Sequence, residues 1–215
     1  YNLNNTGSYE TFPLTEGDGS YTVKVFENTS GTKYAQAYST SVSLKLRNQF
    51  LPFLYPNQYV NFTEKSTTVA KGKEIVQNAG ATDDLAKVSA IFNWVTSNFS
   101  YDYDLAANPP TGYLPDVDKV LAARKGICFD YAAVMATMLR SQDIPCKLVV
   151  GYAGKIYHAW IDVYVEGVGW IKNAIYFDGK SWTMMDPTFV STGKGSASIM
   201  KYVTTPSNYS QKYAY

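Results

Sequence analysis

The sequence is poor in the residues that build metal sites and disulfide frameworks. Its 215 residues include one histidine, His158, and two cysteines, Cys128 and Cys146. A structural zinc site takes about four ligands, mostly from Cys and His, and two cysteines cannot hold together a domain of this size. We therefore expect no metal and no cofactor. Cys146 precedes an apolar strand and is interpreted as a buried packing thiol, with a Cys128–Cys146 disulfide as the alternative in an oxidising compartment.

Blocks of like charge and long apolar runs are also missing. The 19 basic and 18 acidic residues give a formal net charge of +1, so no basic patch indicates nucleic acid or an anionic membrane as a partner. No apolar run reaches the roughly 18 residues of a membrane span, and we expect no transmembrane segment. An export signal is absent from the sequence. The 19 tyrosines and the many Asn, Ser and Thr residues are typical of extracellular or cell-surface proteins.

Two regions of the chain differ in their hydrophobic pattern. Apolar and polar residues alternate at 21–26 and 41–46, with glycine-containing turns nearby, so residues 1–65 form a β-rich N-terminal segment or part of a β domain. Residues 66–215 begin instead with helical spacing. Apolar residues recur over 85–99 after a helix cap at Thr82 or Asp83, and a second apolar helix is predicted over 128–140.

Short strands follow these helices. We predict them at about 147–153, 157–165, 170–177 and 182–186, and the short turns between the later ones favour an antiparallel meander. Helices followed by an antiparallel sheet are typical of the α+β class. The expected architecture is therefore an α+β domain over 66–215, preceded by the small β-rich segment.

Three residues of this domain have the chemistry of a thiol acyl-transfer site. Cys128 opens a predicted helix, where unpaired N–H groups favour the thiolate. His158 is the one candidate for its partner, and an imidazolium would hold the thiolate as an ion pair. Asp186, at the end of the last predicted strand, would fix the orientation of the imidazole. The order Cys, His, Asp predicts a catalytic triad that attacks an amide carbonyl.

Other residues near these positions have plainer interpretations. Asp130 is expected to stabilise the start of the helix, and Asp162 to face solvent from its strand. The aromatic, turn-rich stretch over 101–113 is expected to line a substrate cleft, with Tyr103 or Tyr113 as the second oxyanion donor beside the Cys128 N–H. Trp160 is a further cleft candidate, although an aromatic residue on a strand is more often a packing residue.

Five short motifs resemble the bacterial transglutaminase-like domain family over about residues 69–190. They are 126–132 (GICFDYA), 139–145 (LRSQDIP), 150–152 (VGY), 158–160 (HAW) and 185–188 (MDPT). The resemblance implies a papain-like α+β core without a metal. It also implies Cys128 as the nucleophile, His158 as general base and acid, and Asp186 as the orienting residue.

Two further features bear on this resemblance. The segment 175–182 is similar to the version found in exported proteins of Gram-positive bacteria, which supports the extracellular assignment. The pair Cys146-Lys147 departs from the family, which usually has a small residue followed by Arg at these positions. This departure changes the packing beside a strand and leaves the predicted triad unchanged.

We expect cysteine-dependent acyl transfer on peptide or protein amides through a Cys128 thioester. The acceptor is an amine in a transglutaminase-type reaction, or water in a protease- or deamidase-type reaction. The expected partner is a peptide or protein substrate, including one associated with the cell wall. The alternative is a non-catalytic peptide- or cell-wall-binding module on the same fold. A third hypothesis, an adhesive role for the tyrosine-rich segment 1–65, predicts that this segment binds a partner alone.

Overall fold

The computed structural model describes residues 1–177, 182–184 and 209–215 and confirms the α+β architecture, with helices before the sheet and a strand hairpin at the N-terminal end. The elements in chain order are β1 Gly19–Ser30, β2 Lys33–Leu44, a 3-10 turn Leu51–Phe53, α1 Thr67–Asn78, α2 Asp84–Asn98, β3 Ser100–Tyr101, α3 Tyr103–Ala107, α4 Val117–Ala123, β4 Lys125–Gly126, α5 Cys128–Arg140, β5 Cys146–Ala153, β6 Ile156–Val165, β7 Gly169–Phe177, β8 Trp182–Met184 and β9 Tyr209–Ala214. Among the helices of these ranges, none has the length and apolar content needed to span a membrane.

The N-terminal hairpin is formed by β1 and β2. Its strands pair antiparallel in a two-stranded sheet. Alternation places apolar side chains on one face, where Tyr21 is opposite Val42 and Val25 is opposite Tyr38. Most of these side chains are exposed, including Tyr38 at 57% and Val42 at 48%. The predicted strands are therefore present, but they form an extended hairpin with an uncovered apolar face.

The stretch between the hairpin and α1 packs on the sheet of the second region. Phe53 is buried and its ring lies 5.3 Å from that of Trp170 on β7, in an edge-to-face arrangement. Tyr59 stacks on Tyr215 with 3.9 Å between ring centroids. These aromatic pairs attach residues 50–60 to the α+β core.

Helix α5 is the centre of that core. The apolar side predicted from its spacing is buried at 0–1% exposure in Tyr131, Val134, Met135, Met138 and Leu139. Helices α1, α2 and α4 pack around α5. Met135 and Met138 are therefore core residues.

The sheet has the strand order β8-β7-β6-β5-β9, and each adjacent pair is antiparallel. This order confirms the predicted meander from β5 to β8. The edge strand β9 was not predicted. It runs so close to β5 that a Cβ atom on Gly151 would lie 2.1 Å from the carbonyl oxygen of Ser210. Glycine at 151 therefore permits the approach of the strand that carries Tyr213.

The expectation that Asp162 faces solvent is wrong. Asp162 is 5% exposed and is paired in register with Lys147 of β5. The Lys147 Nζ lies 4.8 Å from the ring centroid of Phe53 and 4.1 Å from that of Trp170. The aromatic side chains that cover this face of the sheet exclude water from both strands.

Candidate active site

The start of α5 is shaped by a buried carboxylate. Cys128 is the first residue of the helix, and the Asp130 Oδ2 accepts a hydrogen bond of 2.8 Å from the backbone N–H of Ile127. Asp130 has no exposed surface. A Cβ atom on Gly126 would lie 2.7 Å from the Asp130 Cβ, so glycine at 126 leaves the space that this carboxylate fills. The prediction that Asp130 stabilises the helix start is confirmed.

A short parallel pairing brings Tyr101 to the same place. Strands β3 and β4 pair Tyr101 with Gly126, two residues before the thiol. Hydrogen bonding to the Tyr101 hydroxyl lowers the pKa of the Cys128 thiol, against the larger rise caused by burial. Burial raises the pKa of Tyr101 to about 12. The hydroxyl therefore keeps its proton at neutral pH and serves as a hydrogen-bond donor beside the thiol.

Strand β6 supplies the histidine and a further donor. His158 is 7% exposed and lines the same cavity as Cys128. Hydrogen bonding to the backbone of Ala159, the next residue on β6, and of Phe129 on α5 also lowers the pKa of the Cys128 thiol. The sulfur thus receives donors from the helix, from the sheet and from β3.

Burial shifts the pKa values of both catalytic candidates toward their neutral forms. It raises the pKa of the Cys128 thiol, and the nearby negative charge of Asp130 adds to that rise. Burial also lowers the pKa of His158 from 6.5 to about 4. These surroundings favour a neutral thiol and a neutral imidazole at pH 7, in contrast to the ion pair expected from the sequence.

The cavity at the Cys128 thiol has a volume of about 420 Å³. Six tyrosines contribute to its lining: Tyr59, Tyr101, Tyr113, Tyr157, Tyr213 and Tyr215. Pro109, Pro110 and Phe129 add further apolar surface. In the part of the chain that the structure describes, the lining contains no Asp, Glu, Lys or Arg.

The structure brings together some of the predicted site residues. Cys128 and His158 share the cavity, and Tyr113 lines it with its hydroxyl donating to Asp130 Oδ1 at 2.8 Å. Asp186 lies outside the described residues. Both cysteines are free thiols, and the described ranges contain no group of three or more His, Cys, Asp or Glu residues that could hold a metal ion.

The other two cleft candidates lie elsewhere. Tyr103 is the first residue of α3, is 64% exposed, and has its ring 5.0 Å from that of Tyr101. Trp160 is 2% exposed and its ring lies 5.6 Å from that of Tyr209. Neither residue is among those that line the cavity in the described ranges.

Sequence reasoning missed several residues of the site. Tyr101 belongs to the stretch that is expected to line the cleft, but its hydrogen bonding to Cys128 was not predicted; the signal would have been the short β3–β4 pairing that precedes the GICFDYA motif. Tyr157 immediately precedes His158. Tyr59 and Tyr213 come from distant parts of the chain, and no local pattern marks them as neighbours of the thiol.

Comparisons with known proteins give partial matches of modest identity. Kyphoscoliosis peptidase from Homo sapiens is 29% identical over 155 residues, which is 64% of this chain and 22% of that protein. YebA from Bacillus subtilis is 24% identical over 148 residues, which is 60% of this chain and 20% of that protein. The chain therefore spans about a fifth of the length of these relatives.

Solved structures and a family model were also compared. The periplasmic domain of TgpA from Pseudomonas aeruginosa bound to ethylmercury is 19% identical with a TM-score of 0.45, and the alignment covers 82% of this chain and 69% of that one. The family model for the transglutaminase-like superfamily matches residues 73–187, which is more than half of the chain. The motifs that suggested this family all fall within or beside that match, and the chain belongs to the transglutaminase-like superfamily.

Proposed function

We propose that the protein catalyses cysteine-dependent acyl transfer from peptide or protein amides, with Cys128 as the nucleophile and His158 as the general base and acid. The observation that carries the proposal is that Cys128 and His158 line the same cavity, at the start of α5. The sulfur attacks the amide carbon and His158 accepts the thiol proton. His158 then gives that proton to the leaving nitrogen as the C–N bond breaks, which leaves a thioester on Cys128.

The surroundings of the thiol favour proton transfer during attack rather than before it. Burial raises the pKa of Cys128 and lowers that of His158 to about 4, so the free protein holds the neutral pair. The donors at the sulfur, which are the N–H groups of Phe129 and Ala159 and the Tyr101 hydroxyl, stabilise negative charge as the proton leaves. The amide is therefore attacked by a sulfur that becomes a thiolate only at that step.

The oxyanion is assigned two donors. The first is the Cys128 N–H, which lies at a helix start and has no acceptor within the helix. The second is the Tyr101 hydroxyl, which hydrogen-bonds to Cys128 in the free protein. The Tyr113 hydroxyl donates to the Asp130 carboxylate, whereas the Tyr101 hydroxyl is beside the sulfur and can turn to the carbonyl oxygen once the C–S bond forms. This difference favours Tyr101 over Tyr113 for the role.

The remaining assignments rest on the family resemblance and on composition. Asp186 is assigned to orient the His158 imidazole. The thioester passes its acyl group to an amine, which gives a cross-link, or to water, which gives proteolysis or deamidation. The tyrosine-rich composition supports an extracellular or cell-surface setting, as in exported Gram-positive proteins, with a peptide or cell-wall-associated protein as the substrate.

The test is direct detection of the thioester. The protein is mixed with peptides that contain glutamine and peptide amides, with hydroxylamine as a small amine acceptor, and is then quenched in acid for intact-mass and peptide-mass analysis. We expect an acyl adduct on Cys128 and hydroxamate or free acid as product. His158→Ala should lower the rate by about 10² to 10⁴, and Tyr101→Phe by about 10².

Two controls complete the test. Cys128→Ala should form no adduct and no product, whereas Cys146→Ala removes the other thiol and should keep the parent rate. Turnover by Cys128→Ala at the parent rate would refute the proposal. Labelling of Cys128 by iodoacetamide without any acyl adduct across the peptide panel would favour the binding module instead.

A further inference from the structure

Tyrosine is the most frequent residue in the described lining of the cavity at Cys128. Tyrosine side chains reach it from the stretch before α1 (Tyr59), from the loop before α4 (Tyr113), from β6 (Tyr157), from β9 (Tyr213) and from the residue that follows β9 (Tyr215). Rings from these separate parts of the chain enclose the space above the thiol. Their faces are apolar, and each ring carries a single hydroxyl for hydrogen bonding.

The tyrosines are held in place by contacts with one another. The Tyr59 and Tyr215 rings are stacked at 3.9 Å, and the Tyr213 and Tyr215 rings are stacked at 6.1 Å with 24° between their planes. This part of the wall therefore exists before any ligand arrives. A preformed aromatic wall binds a flat or apolar group with little ordering cost.

Charged side chains near this wall are engaged elsewhere. Lys212 of β9 immediately precedes Tyr213, but its Nζ is 5.2 Å from the ring centroid of Tyr152, which does not line the cavity. The buried carboxylate of Asp130 accepts hydrogen bonds from Ile127 and Tyr113. A lysine, arginine, aspartate or glutamate side chain of a substrate would find no ionic partner among the described lining residues.

The protonation preferences of the lining residues agree with a weakly polar interior. Burial raises the pKa of Tyr157, raises that of Tyr101 to about 12, and lowers that of His158 to about 4. Each shift favours the uncharged form of the group. A charged substrate group placed beside them would lose hydration without compensation.

We propose that this cavity selects an acyl donor with an uncharged aromatic, proline or aliphatic side chain beside the reacting amide, and that it rejects a charged side chain at that position. The inference deepens the proposed function and rests on it, because it concerns the residue next to the amide that Cys128 attacks. The tyrosine rings bind the apolar side chain.

The selection can be measured with thiol-reactive peptides whose labelling does not require acyl transfer. Four probes of the form acetyl-X chloromethyl ketone are used, with X as Phe, Leu, Lys or Glu, so that X is the residue beside the reacting carbonyl. The sulfur of Cys128 displaces chloride and forms a C–S bond, so mass spectrometry gives a labelling rate for each probe. After correction by the rate with iodoacetamide, we expect the Phe and Leu probes to react at least about tenfold faster than the Lys and Glu probes.

Charge placed on the wall should change this order. Tyr213 and Tyr157 are 52% and 56% exposed, so a charged end at either position can reach water. Tyr213→Lys should raise the rate of the Glu probe and lower that of the Lys probe relative to the parent. The matched control is Tyr38→Lys, because Tyr38 is 57% exposed and belongs to the hairpin rather than to the lining. The control should keep the parent order of the four probes.

The outcomes separate this inference from the proposed function. Equal rates for all four probes, or a faster reaction of a charged probe with the parent, would overturn the inference even if acyl transfer is found. Apolar preference that Tyr213→Lys alters and Tyr38→Lys does not would support it. The same preference without any thioester from peptide amides would contradict the proposed acyl transfer and leave the selection as a binding property of the cavity.

Discussion

The two thiols lie near opposite ends of helix α5, and the hydrogen-bond donors around them differ. Cys128 is the first residue of the helix, is half-buried and faces the tyrosine-lined cavity. Cys146 follows the helix, opens β5 and has no exposed surface. Burial raises the pKa of both thiols, and that of Cys146 reaches about 12. Desolvation alone therefore does not distinguish a nucleophile from a packing residue.

The hydrogen-bond donors around each residue account for the difference. The Cys128 sulfur receives the N–H groups of Phe129 and Ala159 and the Tyr101 hydroxyl. Beside Cys146, the buried Arg140 guanidinium donates to the backbone oxygen of that residue from Nε at 3.0 Å and from Nη2 at 2.8 Å. Donors at the start of α5 are directed at the sulfur, whereas those at the start of β5 are directed at the backbone. The positive charge of Arg140 also favours the Cys146 thiolate, but burial outweighs it and leaves the pKa of Cys146 at about 12, whereas donors directed at a sulfur stabilise a thiolate by hydrogen bonding.

The largest expected effect is the difference in alkylation between the two thiols. In native protein with iodoacetamide at pH 8, Cys146 should react at least about a thousandfold more slowly than Cys128, because Cys146 becomes accessible only when the core opens. Peptide-mass analysis over time measures both rates. In concentrated urea the two rates should converge. Comparable labelling of both thiols in the native protein would show that the start of β5 opens readily. It would contradict the expected difference in reactivity between Cys128 and Cys146.

The next effect concerns pH and the only histidine. Because burial lowers the pKa of His158 from 6.5 to about 4, the unfolded chain binds a proton on this residue between these pH values and the folded chain does not. His158 therefore favours folding above pH 6.5, and this contribution is lost as pH falls toward 4. We expect up to about 3 kcal/mol of extra acid sensitivity in the free energy of unfolding.

Urea denaturation of the parent and of His158→Gln at pH 7, 5.5 and 4.5 measures this contribution. The carboxylates titrate in both proteins, so the difference between the two pH profiles isolates His158. Parallel profiles would mean that the folded protein stabilises the charged form of His158 as well as water does. A charged partner such as the Cys128 thiolate or Asp186 would then stabilise it, which would restore the ion pair expected from the sequence.

The part of the site that could be predicted depends on local signals. The helix that starts at Cys128, the strand that carries His158 and the role of Asp130 follow from spacing, capping and short motifs. These signals extend over a few residues of chain. They also placed the two thiols in different elements, although they did not show which donors would surround each sulfur.

The rest depends on contacts between distant segments. Tyr101 reaches the thiol because β3 and β4 pair over two residues, and Tyr213 arrives on a strand that pairs with β5 across a long stretch of sequence. Asp162 is buried because aromatic side chains from before α1 and from β7 cover its face of the sheet, around Lys147. Alternation along a single strand identifies its two faces but does not show which face another segment will cover.

The smallest effect concerns the carboxylate that distinguishes the start of α5 from the start of β5. Asp130 accepts hydrogen bonds from the Ile127 N–H and the Tyr113 hydroxyl, both at 2.8 Å. Asp130→Asn replaces one acceptor by a donor, so we expect the free energy of unfolding to fall by about 1–3 kcal/mol. Tyr113→Phe removes one donor and keeps the charge, and we expect a loss of about 1 kcal/mol. Urea denaturation of both variants measures these losses.

The same two variants distinguish the effect of the Asp130 charge on the thiol from the effect of the hydrogen bond between Tyr113 and Asp130. Because the negative charge of Asp130 raises the pKa of Cys128, Asp130→Asn should lower that pKa and increase iodoacetamide labelling of Cys128 near pH 7. Tyr113→Phe retains the charge, so it should not produce this shift in the pH profile of labelling. If labelling of Cys128 is faster to the same extent in both variants, the cause would be the lost hydrogen bond between Tyr113 and Asp130 and not the lost charge. Acceleration in Asp130→Asn alone would show that the carboxylate that orders the helix start also keeps the thiol protonated until a substrate is bound.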